Sequence, residues 1–137
     1  MKHYHVISHL SIYLLSLVLF LFGLFHFMYP RDLFVYVPDF LIGMGGIKWA
    51  YVVGTMLIIA SLSFAFNQGV KIVSYLLALL LLFFILAIHV PNYLDAGTLE
   101  GRQTAAINIL KDTAIMAFSL HIGAAAHHQH FQFRNND

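Results

Sequence analysis

The sequence contains no cysteine and few charged residues, and each shortage excludes a class of function. Without cysteine the chain cannot form disulfides, use a catalytic thiol, hold an iron–sulfur cluster or bind zinc through thiolates. Only 9% of its 137 residues are charged, whereas soluble domains carry about 25%. The net charge is +1 and the basic residues are scattered, so no basic stripe indicates nucleic-acid binding.

Apolar side chains make up most of the chain instead. The sequence is 61% hydrophobic, with a mean hydropathy of +0.82. A soluble fold of this size cannot bury so much apolar surface, so we expect an integral membrane protein in contact with the lipid bilayer. Four apolar runs approach the roughly 20 residues that cross a bilayer. They are residues 8–29, 47–66, 70–90 and 103–126.

These runs predict an all-α fold, an integral membrane four-helix antiparallel bundle forming one domain over residues 1–137. We expect the first span to end at Pro30, the second at the sequence NQG and the third at Pro91. A histidine-rich tail, 127–137, follows the fourth span. The first loop, PRDLFVYVPDFLIGMGG, is long and rich in aromatic residues, proline and glycine, which is typical of an interfacial or re-entrant segment. The connection PNYLDAGTLEGRQ is expected to be a solvated loop.

Both termini are predicted to lie on one face of the membrane, with the two longer loops on the other. Lysine and arginine are balanced between the faces, so the positive-inside rule does not decide the orientation. Acidic residues on the loop side incline the prediction toward cytoplasmic termini.

Two adjacent charges interrupt the fourth span in the stretch INILKDTAIMAFSLHI. A span that began after Asp112 would be too short to cross a bilayer, so Lys111 and Asp112 must lie in its outer half. Helical side chains lean toward the helix N-terminus, so Lys111 is expected to extend to the loop-side surface. Asp112 is too short to do so and should face the bundle interior beside Asn108. Because adjacent helical residues point about 100° apart, we do not expect the two charges to pair.

Polar groups from two other spans are expected at a similar depth, His26 near the end of the first and His89 near the end of the third. Intramembrane ionisable residues are candidates for function. The predicted ligand-binding residues are His26, His89, Asn108, Lys111 and Asp112. The alternative, given equal weight, is that the charges lock the helices together and the histidines lie at the interface.

Histidines also raise the possibility of haem or metal binding. The pairs His26 with His89 and His9 with His121 are what a di-haem cytochrome would need. His9 and His26 are about 25 Å apart along a helix, which puts each near a membrane edge, so we expect no haem. The tail sequence HHQH, residues 127–130, could ligate a metal. We expect a solvated tail and predict no metal site.

One face of the second span carries small residues that favour close packing of membrane helices. They are Ala50, Gly54, Ser61 and Ala65. We interpret this stripe as a packing surface and not as a binding site.

The segments FGLFHFMYP, VPDFLIG, LAIHVPNYL and INILKDTAIMAFSL resemble the DoxX-like family of small four-helix membrane proteins, typically bacterial. The resemblance covers residues 10–126. The matching positions are His26, Phe27 and Pro30; Pro38; and Leu110, Lys111 and Asp112. Many members carry a glutamate shortly after a glycine in the second span, but here Gly54 is followed by Thr55, Met56 and Leu57.

The family takes its name from subunits of a thiosulfate:quinone oxidoreductase. The resemblance therefore implies a quinone-linked redox role in the bacterial cytoplasmic membrane, at most as one subunit of an oxidoreductase. Lys111 or a histidine would donate to a quinone oxygen, Asp112 would relay a proton, and electrons would come from a partner. Two alternatives stay open. The chain is a non-catalytic assembly subunit that packs against other membrane subunits or itself, or, ranked lower, a proton-coupled transporter that uses Asp112.

Overall fold

The computed structural model describes residues 2–34, 37–43 and 45–126, and every regular element in these ranges is helical. The elements in chain order are α1 (Lys2–Met28), α2 (Pro30–Phe34), α3 (Asp39–Ile42), α4 (Lys48–Phe66), α5 (Val70–Phe84), a π-helical segment (Ile85–His89), α6 (Val90–Asp95) and α7 (Leu99–Ala125). The histidine-rich tail, including HHQH, lies outside the described residues.

Four helical stretches in the described part of the chain are long and apolar enough to cross a membrane. They are His9–Met28, Lys48–Phe66, Val70–Asp95 and Leu99–Ala125. This confirms the predicted all-α class with four apolar helices suited to span a bilayer. The end of the second span is as predicted, because Asn67 (φ 55°) and Gly69 (φ 63°) adopt left-handed conformations that turn the chain sharply into α5.

The bundle is built from two antiparallel hairpins, α1 with α4 and α5 with α7, each crossed by serine hydrogen bonds. Ser16 Oγ donates to the Ser61 carbonyl at 2.8 Å, and Ser61 Oγ donates to the Ser16 carbonyl at 2.8 Å. In the second hairpin, Ser119 Oγ donates to the Ser74 carbonyl at 2.9 Å. Hydroxyl groups that bond across helices in this way stabilise membrane bundles by about 1 kcal/mol each.

Small residues bring the helices of each hairpin close together. A Cβ added to Gly54 would lie 2.9 Å from the His26 Cβ and 3.0 Å from the Gly23 carbonyl oxygen. A Cβ added to Gly123 would lie 2.9 Å from the Ser74 Cβ. Gly54 and Ser61 therefore serve helix packing, as the small-residue stripe predicted.

A buried apolar cluster joins the two hairpins in the half of the bundle nearest the NQG turn. Its members are Leu15, Leu19, Leu57, Ala60, Phe64, Val70, Leu77, Leu81 and Ile122. We call the bundle end with the NQG turn the terminal face and the opposite end, with the α1–α4 and α6–α7 connections, the loop face. Between the cluster and the loop face, the hairpins enclose a cavity.

The third span differs from the prediction, because the helix does not end at Pro91 but continues to Asp95. A proline ring within a regular α-helix clashes with the carbonyl four residues earlier. Here the π-helical segment ends two residues before Pro91, and the Val90 N–H bonds to the Ile85 carbonyl, five residues back. This wider turn shifts the carbonyls away from the proline ring, so the helix can continue past Pro91.

The fourth helix begins at Leu99 and not near residue 103, so most of the predicted solvated loop is helical. Thr98 caps the helix by accepting a hydrogen bond from the Gly101 N–H at 3.1 Å. Residues 96–98 alone connect α6 to α7.

The first loop contains the short helices α2 and α3, and α2 packs against α1 and α4. Its position relative to the bilayer surface stays a prediction.

Single-cysteine labelling is expected to find Gln68 and Gly97 on opposite sides of the membrane. Gln68 lies in the exposed turn between α4 and α5, and Gly97 in the exposed connection before α7. A Cβ at Gly97 meets no atom within 4 Å, so cysteine fits there. Since the chain has no native cysteine, an impermeant maleimide applied to sealed vesicles reports one position at a time. Labelling of Gln68→Cys and Gly97→Cys from the same side would contradict the four-span arrangement.

Candidate functional site

A cavity of about 500 Å³ lies between the two hairpins in the loop-face half of the bundle. Leu19, Leu57 and Leu81 belong both to its lining and to the buried apolar cluster, so the cluster forms its floor. Its walls are mostly aromatic and aliphatic. Aromatic lining residues are Phe22, Phe25, Trp49, Phe83 and Phe84. The polar lining comes from α1, the π-helical segment and α7.

Asp112 is the buried charge at the polar side of this cavity. Its side chain is 6% exposed, and His89 Nε2 lies 3.0 Å from its Oδ2 atom. The imidazole N–H donates to the carboxylate, a bond that is strong in a medium of low dielectric constant. As predicted, Asp112 faces the bundle interior. The hydrogen-bond partner of its carboxylate there is His89 and not lipid or solvent.

Lys111 lies over the cavity and interacts with Asp112. Its Nζ is 3.5 Å from Asp112 Oδ1, donates to Asn108 Oδ1 at 3.3 Å and lies 5.0 Å from the centre of the Phe22 ring. The prediction that the adjacent charges do not pair is therefore wrong. The angle between neighbouring Cβ atoms does not limit a side chain with four methylene groups, which folds back along the helix. As predicted, Lys111 leans toward the helix N-terminus and so toward the loop face, where its ammonium lies at Asn108 and Phe22.

His26 contributes a hydrogen-bond acceptor from α1. Its Nδ1–H donates to the Phe22 carbonyl at 2.7 Å, one helical turn back. In the neutral ring, this bond fixes the tautomer and leaves Nε2 without a proton. Because the His26 ring also lines the cavity, it can present an acceptor to a ligand there.

The π-helical segment positions His89, and the sequence reasoning did not anticipate it. The segment ends at His89, two residues before Pro91. Single wide turns within α-helices occur frequently at functional sites because they redirect side chains. A proline inside an apolar run as long as 70–95 was the available signal for such a turn.

All five predicted site residues line this one cavity. They are His26, His89, Asn108, Lys111 and Asp112. Their proximity is a fact of the fold, whereas ligand binding by them stays a prediction. The sequence reasoning missed the aromatic wall, in particular Trp49, because aromatic residues are frequent in every apolar span.

The purified protein is expected to show no stoichiometric Soret band. His89 Nε2 is already bonded to the buried Asp112 carboxylate, so axial ligation of haem iron through that atom would cost this bond. His9 and His121 lie on exposed helix surfaces and not at the cavity. An absorption spectrum after gentle detergent extraction tests this. A one-to-one band lost in both His26→Ala and His89→Ala, but retained in His121→Ala, would assign the cavity to haem.

Comparisons of the chain with protein-family models, with curated proteins and with solved structures found no match. The resemblance to the DoxX-like family thus depends on the quoted segments alone and stays a prediction.

Proposed function

We propose that this protein is a DoxX-like, quinone-binding subunit of the bacterial cytoplasmic membrane that serves a larger redox complex. The observation that supports this most is the composition of the cavity, which combines an apolar aromatic wall with a polar side of both donors and acceptors. A volume of about 500 Å³ lies within the range of roughly 300–1,000 Å³ that small-molecule sites occupy.

The polar side matches both redox forms of a quinone. A quinone presents two carbonyl oxygens, which need donors, and the Lys111 ammonium supplies them. A quinol presents two hydroxyl groups, which need acceptors, and His26 Nε2 and the Asp112 carboxylate supply these. A site with only donors would favour the quinone, and a site with only acceptors would favour the quinol, because a buried polar group without a partner costs about 1–3 kcal/mol.

The apolar wall suits the ring and the isoprenoid tail of such a ligand. Phe22, Trp49 and Phe84 line the cavity, and aromatic side chains stack favourably on flat rings. Trp49 and Phe83 are also about half exposed on the outer surface of the bundle, where a ligand dissolved in the bilayer would first meet them. Electrons would come from a partner subunit.

The partners of Asp112 favour this proposal over a purely structural subunit. A charge that specified assembly would find its counter-charge on another chain, whereas Asp112 is paired with His89 and Lys111 of its own chain.

Quenching of Trp49 fluorescence tests the proposal, since Trp49 is the single tryptophan of the chain and lines the cavity. Titration of the detergent-solubilised protein with decyl-benzoquinone is expected to give saturable quenching, because a bound quinone accepts electrons from the excited indole. His26→Leu and His89→Leu should weaken binding. The matched control is His121→Leu, which changes a histidine on an exposed surface of α7.

Linear, non-saturating quenching would overturn the proposal, provided that it equals the quenching of free N-acetyl-tryptophanamide in the same detergent. Saturable quenching that is identical in His26→Leu, His89→Leu and wild type would show binding outside the cavity and would contradict the site.

A further inference from the structure

A second cavity, of about 480 Å³, opens at the loop face beside the first. We call it the vestibule. Its rim is exposed and polar and comes from α6, the 96–98 connection and the first turns of α7; it includes Asp95, Thr98 and Glu100. Water fills a polar concave surface of this kind, whereas most of the wall of the first cavity is apolar.

The two cavities meet at shared walls. His89, Thr104 and Asn108 line both of them. The vestibule therefore reaches the imidazole whose Nε2 bonds to the buried Asp112 carboxylate.

A row of polar residues on α7 extends from the vestibule toward the bundle centre. Glu100, Thr104, Asn108 and Asp112 follow one another at four-residue intervals, so they form one polar row along a helix face. The row begins at an exposed carboxylate and ends at a buried one. Its length is about 18 Å at ~1.5 Å per residue. Hydroxyl and amide groups in such a row can order a chain of water molecules.

We propose that the vestibule and this polar row form an aqueous path through which the His89–Asp112 pair exchanges protons with water on the loop face. The inference rests on the proposed function only in treating the first cavity as the ligand site. It adds the side of the membrane from which that site gains and loses protons. The titratable groups facing Asp112 are His89 from the π-helical segment, Lys111 from α7 and His26 across the cavity.

The side of access can be measured with single cysteines and no ligand. Thr104→Cys, on the wall shared by both cavities, should react with a charged, impermeant methanethiosulfonate reagent added at the loop face of sealed vesicles. Thr113→Cys is the matched control. It replaces the same residue type on the same helix, but Thr113 lies on an exposed surface that contacts lipid in a spanning helix. It should react with a lipophilic maleimide and many-fold more slowly with the charged reagent.

Access to Asp112 itself can be measured in the wild-type chain, so the test does not depend on a variant's folding. A water-soluble carbodiimide with an amine nucleophile, added at the loop face, should modify Asp112, as read by peptide mass spectrometry. Thr104→Leu, which narrows the path, should slow this modification several-fold. Thr113→Leu should not.

Three results would overturn the inference: no reaction of Thr104→Cys with the charged reagent from the loop face, access from the terminal face instead, or a wild-type Asp112 that the carbodiimide does not reach. Because no quinone is present in these experiments, their outcome is independent of the fluorescence titration. Saturable quinone binding with an inaccessible Asp112 would retain the proposed function and reject the path.

Discussion

Replacement of Asp112 by leucine is expected to weaken quinone binding by about tenfold or more, equivalent to at least about 1.4 kcal/mol. Asp112 is the only anionic partner that the described structure gives to His89 and Lys111. Without it, the imidazole loses the bond that orients it, and the Lys111 ammonium lies over an apolar cavity without a counter-charge. The His89 N–H, on a side chain that is 12% exposed, also loses its acceptor, and an unsatisfied buried donor costs about 1–3 kcal/mol, so this variant should also unfold at a lower temperature.

Lys111→Gln is expected to have the smaller effect on binding, a few-fold at most. The Lys111 side chain is 40% exposed, and glutamine keeps a donor that can reach Asn108.

Asp112→Asn distinguishes an effect on quinone binding from an effect on folding, because it preserves the shape of the side chain and removes its charge. Asp32→Asn, which removes an exposed carboxylate on α2, is the matched control for loss of a carboxylate. Wild-type binding by Asp112→Leu together with impaired binding by Lys111→Gln would show that the polar site is wrong.

Gly54→Leu is expected to destabilise the protein by at least about 1–3 kcal/mol and to deform the cavity. A Cβ at this position would lie 2.9 Å from both the His26 Cβ and the Phe27 Cε2 atom. The neighbouring Gly23 carbonyl oxygen, at 3.0 Å, belongs to the backbone of α1 and cannot move without that helix. The two helices must therefore separate, which displaces His26 from the cavity wall.

Gly43→Leu provides the control, since a Cβ there meets no atom within 4 Å and the residue is exposed. Thermal unfolding of the two variants in detergent, followed by circular dichroism, measures the difference in stability. The Trp49 titration measures the change in binding. Equal unfolding temperatures for Gly54→Leu and Gly43→Leu would mean that α1 and α4 are not in close contact at Gly54.

The interior position of Asp112 followed from the sequence because two constraints left no alternative. A bilayer-spanning helix needs about 20 residues, and a short carboxylate in lipid is costly. The lean of Lys111 toward the loop face followed from helix geometry, but its contact with Asp112 did not, because a flexible side chain with four methylene groups can place its ammonium in several positions. Its contact with the Phe22 ring of α1, at 5.0 Å, arises from the packing of the helices.

The all-α class, the four apolar spans and the sharp turn after Phe66 could be predicted from the sequence, because run length, hydropathy and turn chemistry are local properties of the chain. The bond between His89 and Asp112 and the two adjoining cavities could be seen only in the folded bundle, and the passage of the third helix past Pro91 depends on the wide turn at Ile85–His89. The His89–Asp112 bond depends on how the π-helical segment packs against α7 within the second hairpin, whereas the first cavity depends on how the two hairpins pack together. Pairings between residues 23 positions apart, such as His89 and Asp112, arise from the packing of one helix on another and leave no periodic signal in the sequence.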